Sequence, residues 1–336
     1  FGNLNIGITA GIETTAVSNA WIEGCNKMDL VLVPSEHSKQ GFVTAKYEKM
    51  QQLPDGKQQK IGELKLEKPI EVLFEGTDTN VYKQLDTKEI KGNIVDTIDS
   101  IVETDFNFLF VGLWGQGGFG EDRKDMGTMI KIFFESFANK KDQPGLILKT
   151  SGAGFGIIEK TQVVTKIKQI KGMFPDSVKL PPVYLLHGNL SEEEMNLLYN
   201  HSKVKGMINF GHGEGFGRPL LEATMTGLPV LASGWSGHTD FLPNKLSTLI
   251  AGDINQVPKS AVWENIIEPH HKWFYINPKE AFANLIDFHK EYEGYKSKAI
   301  KLMDINRKNF SLPAITTKLN DIIGEKLESQ PVSVGL

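Results

Sequence analysis

Gly206-Met-Ile-Asn-Phe-Gly-His-Gly-Glu-Gly-Phe-Gly-Arg-Pro-Leu-Leu-Glu222 reads as three structural statements in series. Gly206 to Phe210 is a short apolar run of strand character. Gly211, Gly213, Gly215 and Gly217 follow at every second position and leave the backbone bare enough for a ligand to come close. Pro219 then suits the first turn of a helix. A strand that passes through a glycine loop into a helix start makes an anion or sugar site, because the free N–H groups of the helix end face the ligand. Glu214 lies in the loop and Glu222 about one turn into the helix, so the two carboxylates can face one cleft and grip hydroxyls. The same glycines would equally serve a tight turn, with Glu222 a solvated helix residue.

Outward from this stretch, short apolar runs alternate with segments of helical period from about Asn107, which predicts βαβ units and a parallel sheet with helices on both faces. The predicted strands are Phe108–Gly112, Leu146–Lys149, Val183–Leu186, Gly206–Phe210 and Pro229–Ala232. Ser191-Glu-Glu-Glu194 supplies a helix start, an N-cap with a Glu three residues on. The first hundred residues carry the same rhythm with about three strands: Leu4–Thr9, Leu30–Pro34 with a helix near Ser35, and Ile70–Phe74. Met50–Lys68 reads as an exposed loop or hairpin. Gly92–Asp105 reads as a linker, and His270-His271 with Trp273 as loop. Ile315, Leu319, Ile322 and Ile323 predict an amphipathic helix entered through Ser311 and Pro313, followed by a ten-residue tail.

Composition narrows the class of function. At 336 residues the chain is long enough for two domains, and 40% apolar with 23% charged residues is ordinary globular usage. The 37 Lys and Arg against 41 Asp and Glu leave a net charge of −4 with no basic face, which argues against nucleic acid as a partner. A single cysteine, Cys25, excludes an internal disulfide and multi-cysteine metal sites and fits a reducing, cytoplasmic setting. No apolar run approaches the ~18 residues that span a bilayer, and the N-terminal residues show no charged segment followed by an apolar one, so secretion is not expected.

The central motif and its surroundings resemble a known family. Glu214-Gly-Phe-Gly-Arg-Pro-Leu-Leu-Glu-Ala223 followed by Gly227-Leu-Pro-Val-Leu-Ala-Ser233 is similar to the E-x7-E signature of retaining GT-B glycosyltransferases related to family 4. Val33-Pro-Ser-Glu-His-Ser-Lys39, Phe74-Glu-Gly-Thr-Asp-Thr79, Phe110-Val-Gly112 and Leu186-His-Gly188 with Tyr199 extend the resemblance over nearly the whole chain. It implies an α/β chain of two Rossmann-like domains with parallel sheets facing across a cleft. The expected division is an acceptor-side domain and linker at residues 1–103, a donor-binding domain at 104–305, and a C-terminal helix with tail at 306–336 packing back on the first domain. The chain opens Phe1-Gly2-Asn3 and runs straight into a strand, so by resemblance the acceptor domain is incomplete, lacking its first part. The implied activity is transfer of a hexose-type sugar from a nucleotide diphosphate sugar to a glycan, lipid or protein acceptor, with retention, no metal and no further cofactor.

The resemblance also distributes roles. Glu214 would hold donor-sugar hydroxyls, Glu222 the ribose hydroxyls, and the backbone of Gly215, Phe216 and Gly217 would meet the sugar. His187 lies where backbone meets the base, and Gly237, in the Ser233-Gly-Trp-Ser-Gly237 loop, lies near the donor. Glu13-Thr-Thr15 and Trp21 would line the acceptor side. Structural roles are equally open for His187, Trp21 and Trp235.

A second cluster, Gly115-Gln-Gly-Gly-Phe-Gly-Glu-Asp-Arg-Lys124, places cations beside a glycine loop. Those cations suit a departing diphosphate, whose charge grows as the glycosidic bond breaks. Where the family has an arginine directly after its opening strand this chain has Leu113, so the role passes to Arg123 and Lys124. Lys149 at the next strand end could reach the same phosphates or be an ordinary strand-end lysine. Gly115-x-Gly117-x-x-Gly120 also matches the dinucleotide fingerprint. Lys149 in place of the acidic ribose partner leaves open an NADP-dependent oxidoreductase, and a noncatalytic nucleotide-sugar-binding protein is a further alternative. No carboxylate or cysteine stands at ligand spacing from His212, His238 or His270-His271, so no metal site is expected.

Overall fold

The computed structural model describes residues 4–54 and 56–328. The predicted tail falls almost wholly outside them. The chain enters through β1 (Ile6–Ile8), α1 (Asn19–Cys25), β2 (Leu30–Val33) and α2 (Glu36–Thr44). Ser35 starts α2 because its hydroxyl accepts from the Ser38 N–H at 3.0 Å. An antiparallel hairpin of β3 (Tyr47–Gln52) and β4 (Gln58–Leu64) follows, mostly exposed, and then β5 (Ile70–Val72). Among the described residues β1, β2 and β5 form a parallel sheet in the order β1-β2-β5. All four residues of β2 are buried, as a central parallel strand covered on both faces requires.

Gly92–Asp105 is not a bare linker. It holds α3 (Asn93–Ile101), whose Ile94, Val95 and Ile98 bury one face in the core of the second half. The spacing of those three residues is the helical signal, and nine residues gave it little room to stand out.

The second half is built on β6 (Asn107–Leu113), α4 (Met126–Phe137), β7 (Gly145–Ser151), α5 (Ile157–Lys171), β8 (Val183–Leu186), α6 (Glu192–Asn200), β9 (Val204–Asn209), α7 (Arg218–Met225), β10 (Val230–Ser233) and β11 (Thr248–Ile250). These strands make a parallel six-stranded sheet in the order β11-β10-β9-β6-β7-β8. The α6 start is a full capping box: Ser191 Oγ accepts from Glu194 N, and Glu194 accepts from Ser191 N. Helices α4 and α5 bury Phe108, Phe133 and Phe134 on one face, while α3, α6 and α7 enclose Leu198, Leu220 and Leu221 on the other.

The first strand, β6, has later strands on both sides, so successive connections leave it in opposite directions between β9 and β7. That point is a topological switch, where loops diverge at the carboxyl ends of the strands and open a crevice.

An antiparallel arm of β12 (Gly252–Gln256) and β13 (Lys272–Ile276) continues the chain. Trp273, expected in a loop, is fully buried on β13, and it joins Val257 and Ile267 in the core of the N-terminal sheet. After α8 (Pro278–Lys290) and α9 (Tyr292–Asn309), α10 (Leu312–Glu328) crosses to the first sheet. The Thr77 N–H donates to Phe310 O at 2.9 Å, Leu312 N–H donates to Thr77 O at 3.0 Å, and Lys318 Nζ lies 4.5 Å over the Phe74 ring. Among the described residues no helix is long and apolar enough to cross a membrane.

Candidate functional site

At the switch point the loops after β6 and β9 lie together. The β9 chain ends at Asn209, turns through the glycine-rich loop, and enters α7 with Gly217 as a left-handed N-cap (φ 98°) and Pro219 in the first turn. Glu214 is fixed at both ends of its peptide unit: its N–H donates to Ser236 Oγ at 2.8 Å and its carbonyl accepts from Gly237 N at 2.9 Å. Only glycine fits at 237, because a Cβ there would overlap the Gly215 carbonyl oxygen. Gly237 is therefore a packing requirement of the loop that carries Glu214.

The Glu214 side chain turns toward the β6 loop. Its Oε1 accepts from Asn209 Nδ2 at 2.8 Å and from the Lys124 ammonium. Both side chains of the Lys124–Glu214 pair are 11% exposed, so the pair sits largely out of water. Burial alone would raise the Glu214 carboxyl, but Lys124, with help from Arg123, holds it below the usual carboxylate range. Its ionised form is therefore the resting form.

Arg123 points across the cleft to the first half of the chain, where its Nη1 donates to Glu13 Oε2 at 2.8 Å. Glu13 is 1% exposed, and its Oε1 has no hydrogen-bond partner. Chiefly because of Glu13, the Arg123 guanidinium is held more firmly in its charged form. The N-terminal segment also presses on the glycine loop: a Cβ at Gly215 would come 2.7 Å from Ala10 O, and Ser35 Oγ donates to Gly215 O at 2.6 Å. His238, fully buried, donates from Nε2 to Ser233 O at 2.6 Å and is held neutral by burial. Trp235 packs between His37 and Phe274, a structural role.

Glu222 does not share this cluster. Its carboxylate sits among Tyr199, whose hydroxyl donates to Oε2 at 3.4 Å, Arg218, whose Nη2 is 3.6 Å from Oε1, and Tyr82. Burial pushes it up to about 7, only partly offset by Arg218 and Tyr199. A carboxyl raised in the fold stabilises the native state below its unfolded value near 4.5, and that contribution is lost as pH rises through about 7. Glu222→Gln is thus expected to gain on the unmodified protein in thermal midpoint as pH goes from 5 to 8; a gap that stays constant across melts at the two values would show that Glu222 does not titrate in this window.

Lys149 and His187 form a third group. Lys149 Nζ donates to Gly188 O at 2.6 Å, and both residues line a cavity of about 270 Å³ with Gly188 and α3. Leu113, at the end of β6, is 53% exposed, and the Lys124 side chain runs past the neighbouring Gly112.

The Gly115–Gly120 loop departs from a dinucleotide turn. Gly117 (φ 136°) has the Asp122 backbone where its Cβ would lie, Asp122 and Asp125 are buried behind the loop, and α4 begins only at Met126. The third glycine is therefore not in the helix turn that packs on the strand, as the fingerprint requires. Among the described residues no three His, Cys, Asp or Glu side chains converge as a metal site would need.

Three partners of the site were not evident in the sequence: Asn209, Ser236 and Tyr82. Asn209 had a faint signal, a polar residue interrupting an apolar strand directly before the glycines. The contacts of Tyr82 with Glu222 and of Glu13 with Arg123 span more than a hundred residues and had none.

No family model matches the chain, and no curated protein matches it in sequence. Solved structures do match its fold. HepE from Anabaena, in complex with UDP and glucose, aligns with a TM-score of 0.62 at 16% identity over 97% of this chain and 71% of that one. Sucrose-phosphate synthase from Thermosynechococcus elongatus aligns at 0.60 and 12% identity, over 92% and 61%. A glycosyltransferase from Rickettsia africae aligns at 0.59 and 16% identity, over 97% and 71%. This chain spans 61% of the sucrose-phosphate synthase and 71% of the other two. The architecture is the GT-B fold, with parallel Rossmann-like sheets on either side of the cleft.

Proposed function

We propose that this chain transfers a hexose-type sugar from a nucleotide diphosphate sugar to an acceptor hydroxyl, with retention at the anomeric carbon. One observation carries the reading: the meeting of Lys124, and of Arg123 behind it, with Glu214 at the switch point of the parallel sheet. Cations on the β6 loop suit a departing diphosphate, and a fixed carboxylate on a glycine loop suits sugar hydroxyls. Glu214 orients the donor sugar, the backbone of Gly215, Phe216 and Gly217 lies along it, and Glu222 in its tyrosine niche takes the ribose hydroxyls. Arg123 and Lys124 supply the charge neutralisation that a metal supplies elsewhere, so no metal or further cofactor is assigned. The first 103 residues, with Glu13 at the cleft, form the acceptor side and 104–305 the donor side, while 306–336 ties back to the first. A glycan, lipid or protein would serve as acceptor, and the single cysteine points to a cytoplasmic setting.

HepE was solved with UDP and glucose, which makes a UDP-hexose the first donor to test. A thermal-shift panel of UDP, GDP, ADP and CDP sugars and NADP should raise the midpoint with one nucleotide sugar; binding at a hundredfold over Kd is worth about 2.7 kcal/mol. Acceptor-free donor hydrolysis, followed by the anomeric form of the released sugar, then separates turnover with retention from binding alone. A shift with NADP and none with any nucleotide sugar would replace sugar transfer by hydride transfer.

A further inference from the structure

The loops after β6 and β9 touch in front, where Lys124 meets Glu214, and again behind that pair. At the rear, Asp125 Oδ2 lies 4.0 Å from His212 Nε2. Both residues are out of water, Asp125 at 4% and His212 at 0% exposed. The rear contact is incomplete. His212 Nδ1 lies 2.7 Å from the Phe274 carbonyl, which can only accept, so Nδ1 carries the hydrogen and Nε2 of the neutral ring is a bare lone pair. Neither Nε2 nor Asp125 Oδ1 has a hydrogen-bond partner. A bare lone pair facing a carboxylate in a dry site is costly, and one proton between them turns the contact into a bond. A loop shift of about 1 Å closes the gap to hydrogen-bond length.

The surroundings favour uptake of that proton. Glu13 from the N-terminal segment, Asp122 from the same loop and the Gly120 carbonyl face the imidazole, whose ring is stacked on Trp273 at 4.3 Å. Thr128 in the first turn of α4 donates to the Asp125 carboxylate, Tyr275 of β13 faces it as well as Glu121, and Lys166 of α5 faces Asp122. Burial pushes Asp125 up to about 6 and lowers His212, so the pair holds one proton below about pH 6 and gives it up above. The backbone ties the same residues to the reacting groups. His212 N–H donates to Arg123 O at 3.2 Å, Asp125 directly follows Lys124, and His212 stands two residues before Glu214.

We propose that Asp125 and His212 share one proton and through it hold the loop of Arg123 and Lys124 in register with the loop of Glu214, as positioning residues for sugar transfer. The front contact opens when a diphosphate takes Lys124 and a sugar takes Glu214. The rear pair then keeps the cation at its working distance from the carboxylate, and distance is what a positioned electrostatic site depends on. The inference rests on the sugar-transfer reading for the tasks of Lys124 and Glu214. Asp125 is left-handed, φ 45°, a conformation that asparagine also tolerates, so Asp125→Asn is a fair replacement.

Turnover of a nucleotide sugar is followed from about pH 5.5 to about pH 7.5 for the unmodified chain, Asp125→Asn, His212→Asn and the double variant, with nitrogen NMR of the His212 ring in the first two. Asparagine imitates the protonated acid: its oxygen serves Thr128 and its NH2 faces Nε2 at every pH. The ratio of Asp125→Asn to unmodified turnover should therefore climb about threefold or more across the window, as the unmodified pair loses its proton and the variant loses nothing. Glu222 titrates in the same window in all four proteins and cancels in the ratio. His212→Asn keeps a donor for Phe274 O and removes Nε2, so adding Asp125→Asn to it should bring no climb. The Nε2 signal should move across the window in the unmodified chain and stand still in Asp125→Asn. A flat ratio overturns the positioning role and leaves sugar transfer standing. A climb that persists without Nε2 also overturns it, since the effect would then belong to Asp125 alone. If His212→Asn does not fold, an Nε2 signal that stays fixed in the unmodified chain overturns the shared proton. An unmodified chain that neither turns over a nucleotide sugar nor binds a nucleoside diphosphate overturns the sugar-transfer reading, and the Nε2 signal still tests the pair.

Discussion

Glu214→Ala is expected to lower donor turnover by about 10²-fold or more, the scale of losing one preorganised contact to the reacting group. Two effects add in this variant. The donor sugar loses the carboxylate that fixes its hydroxyls, and Lys124 loses the partner that holds its ammonium beside the leaving group. The second effect has a stability cost, because removing one member of a largely buried pair leaves the other charge uncompensated, at about 3–5 kcal/mol. Glu214→Gln separates the two: it keeps an oxygen for Asn209 Nδ2 and the shape of the loop but not the charge. Turnover of donor, together with thermal midpoints, should show both variants folded at the assay temperature and both severely impaired. A folded Glu214→Ala protein with near-normal hydrolysis and transfer would remove Glu214 from the reaction. Acid should imitate the lesion: the carboxyl sits below its usual range in the fold, so its contribution holds above the unfolded value and is lost as pH falls through the folded one.

What could be read in the sequence was what local chemistry dictates. Strand, glycine loop and helix start from Gly206 to Glu222 fold as their composition requires, since each step depends on residues within a turn or two: a buried apolar run, missing Cβ atoms, Pro219 in the first turn. The Ser191 capping box is local in the same sense. Partner choice across the cleft was not legible. Arg123 meets Glu13 over 110 positions, and nothing in either stretch names the other. Spacing alone also overstated the kinship of the two glutamates. Eight residues put Glu214 and Glu222 on one loop and helix, yet the first turns to the β6 cations and the second to Tyr82 and Tyr199, so they do not share one cluster. The arm that buries Trp273 against the first sheet was hidden because a strand of five residues, set between His270-His271 and the α8 start at Asn277-Pro278, carries no period long enough to read.

Arg123→Ala combined with Lys124→Ala should weaken a free nucleoside diphosphate by about 10²- to 10⁴-fold, from two charge-assisted contacts worth about 1.5–3 kcal/mol each. Lys124 should carry the larger share, because it is the more enclosed; the Arg123 side chain is 46% exposed and its pairing is screened accordingly. The resting structure adds a sign that separates this assignment from a merely structural one. Both cations are already held by carboxylates, so an incoming diphosphate competes with Glu13 for Arg123 and with Glu214 for Lys124. Releasing one competitor should help the ligand: Glu13→Gln keeps a hydrogen-bonding side chain in the buried position and should tighten nucleoside diphosphate binding, an effect that vanishes in the Arg123→Ala background. Titration of the unmodified chain, Glu13→Gln, Arg123→Ala and their combination with one nucleoside diphosphate completes the cycle, with the double-alanine protein measured beside it. Unchanged affinity in the double-alanine protein would remove the diphosphate from this loop, and a Glu13→Gln protein that binds no better, or that still gains without Arg123, would show that the Glu13–Arg123 contact only joins the two halves of the chain.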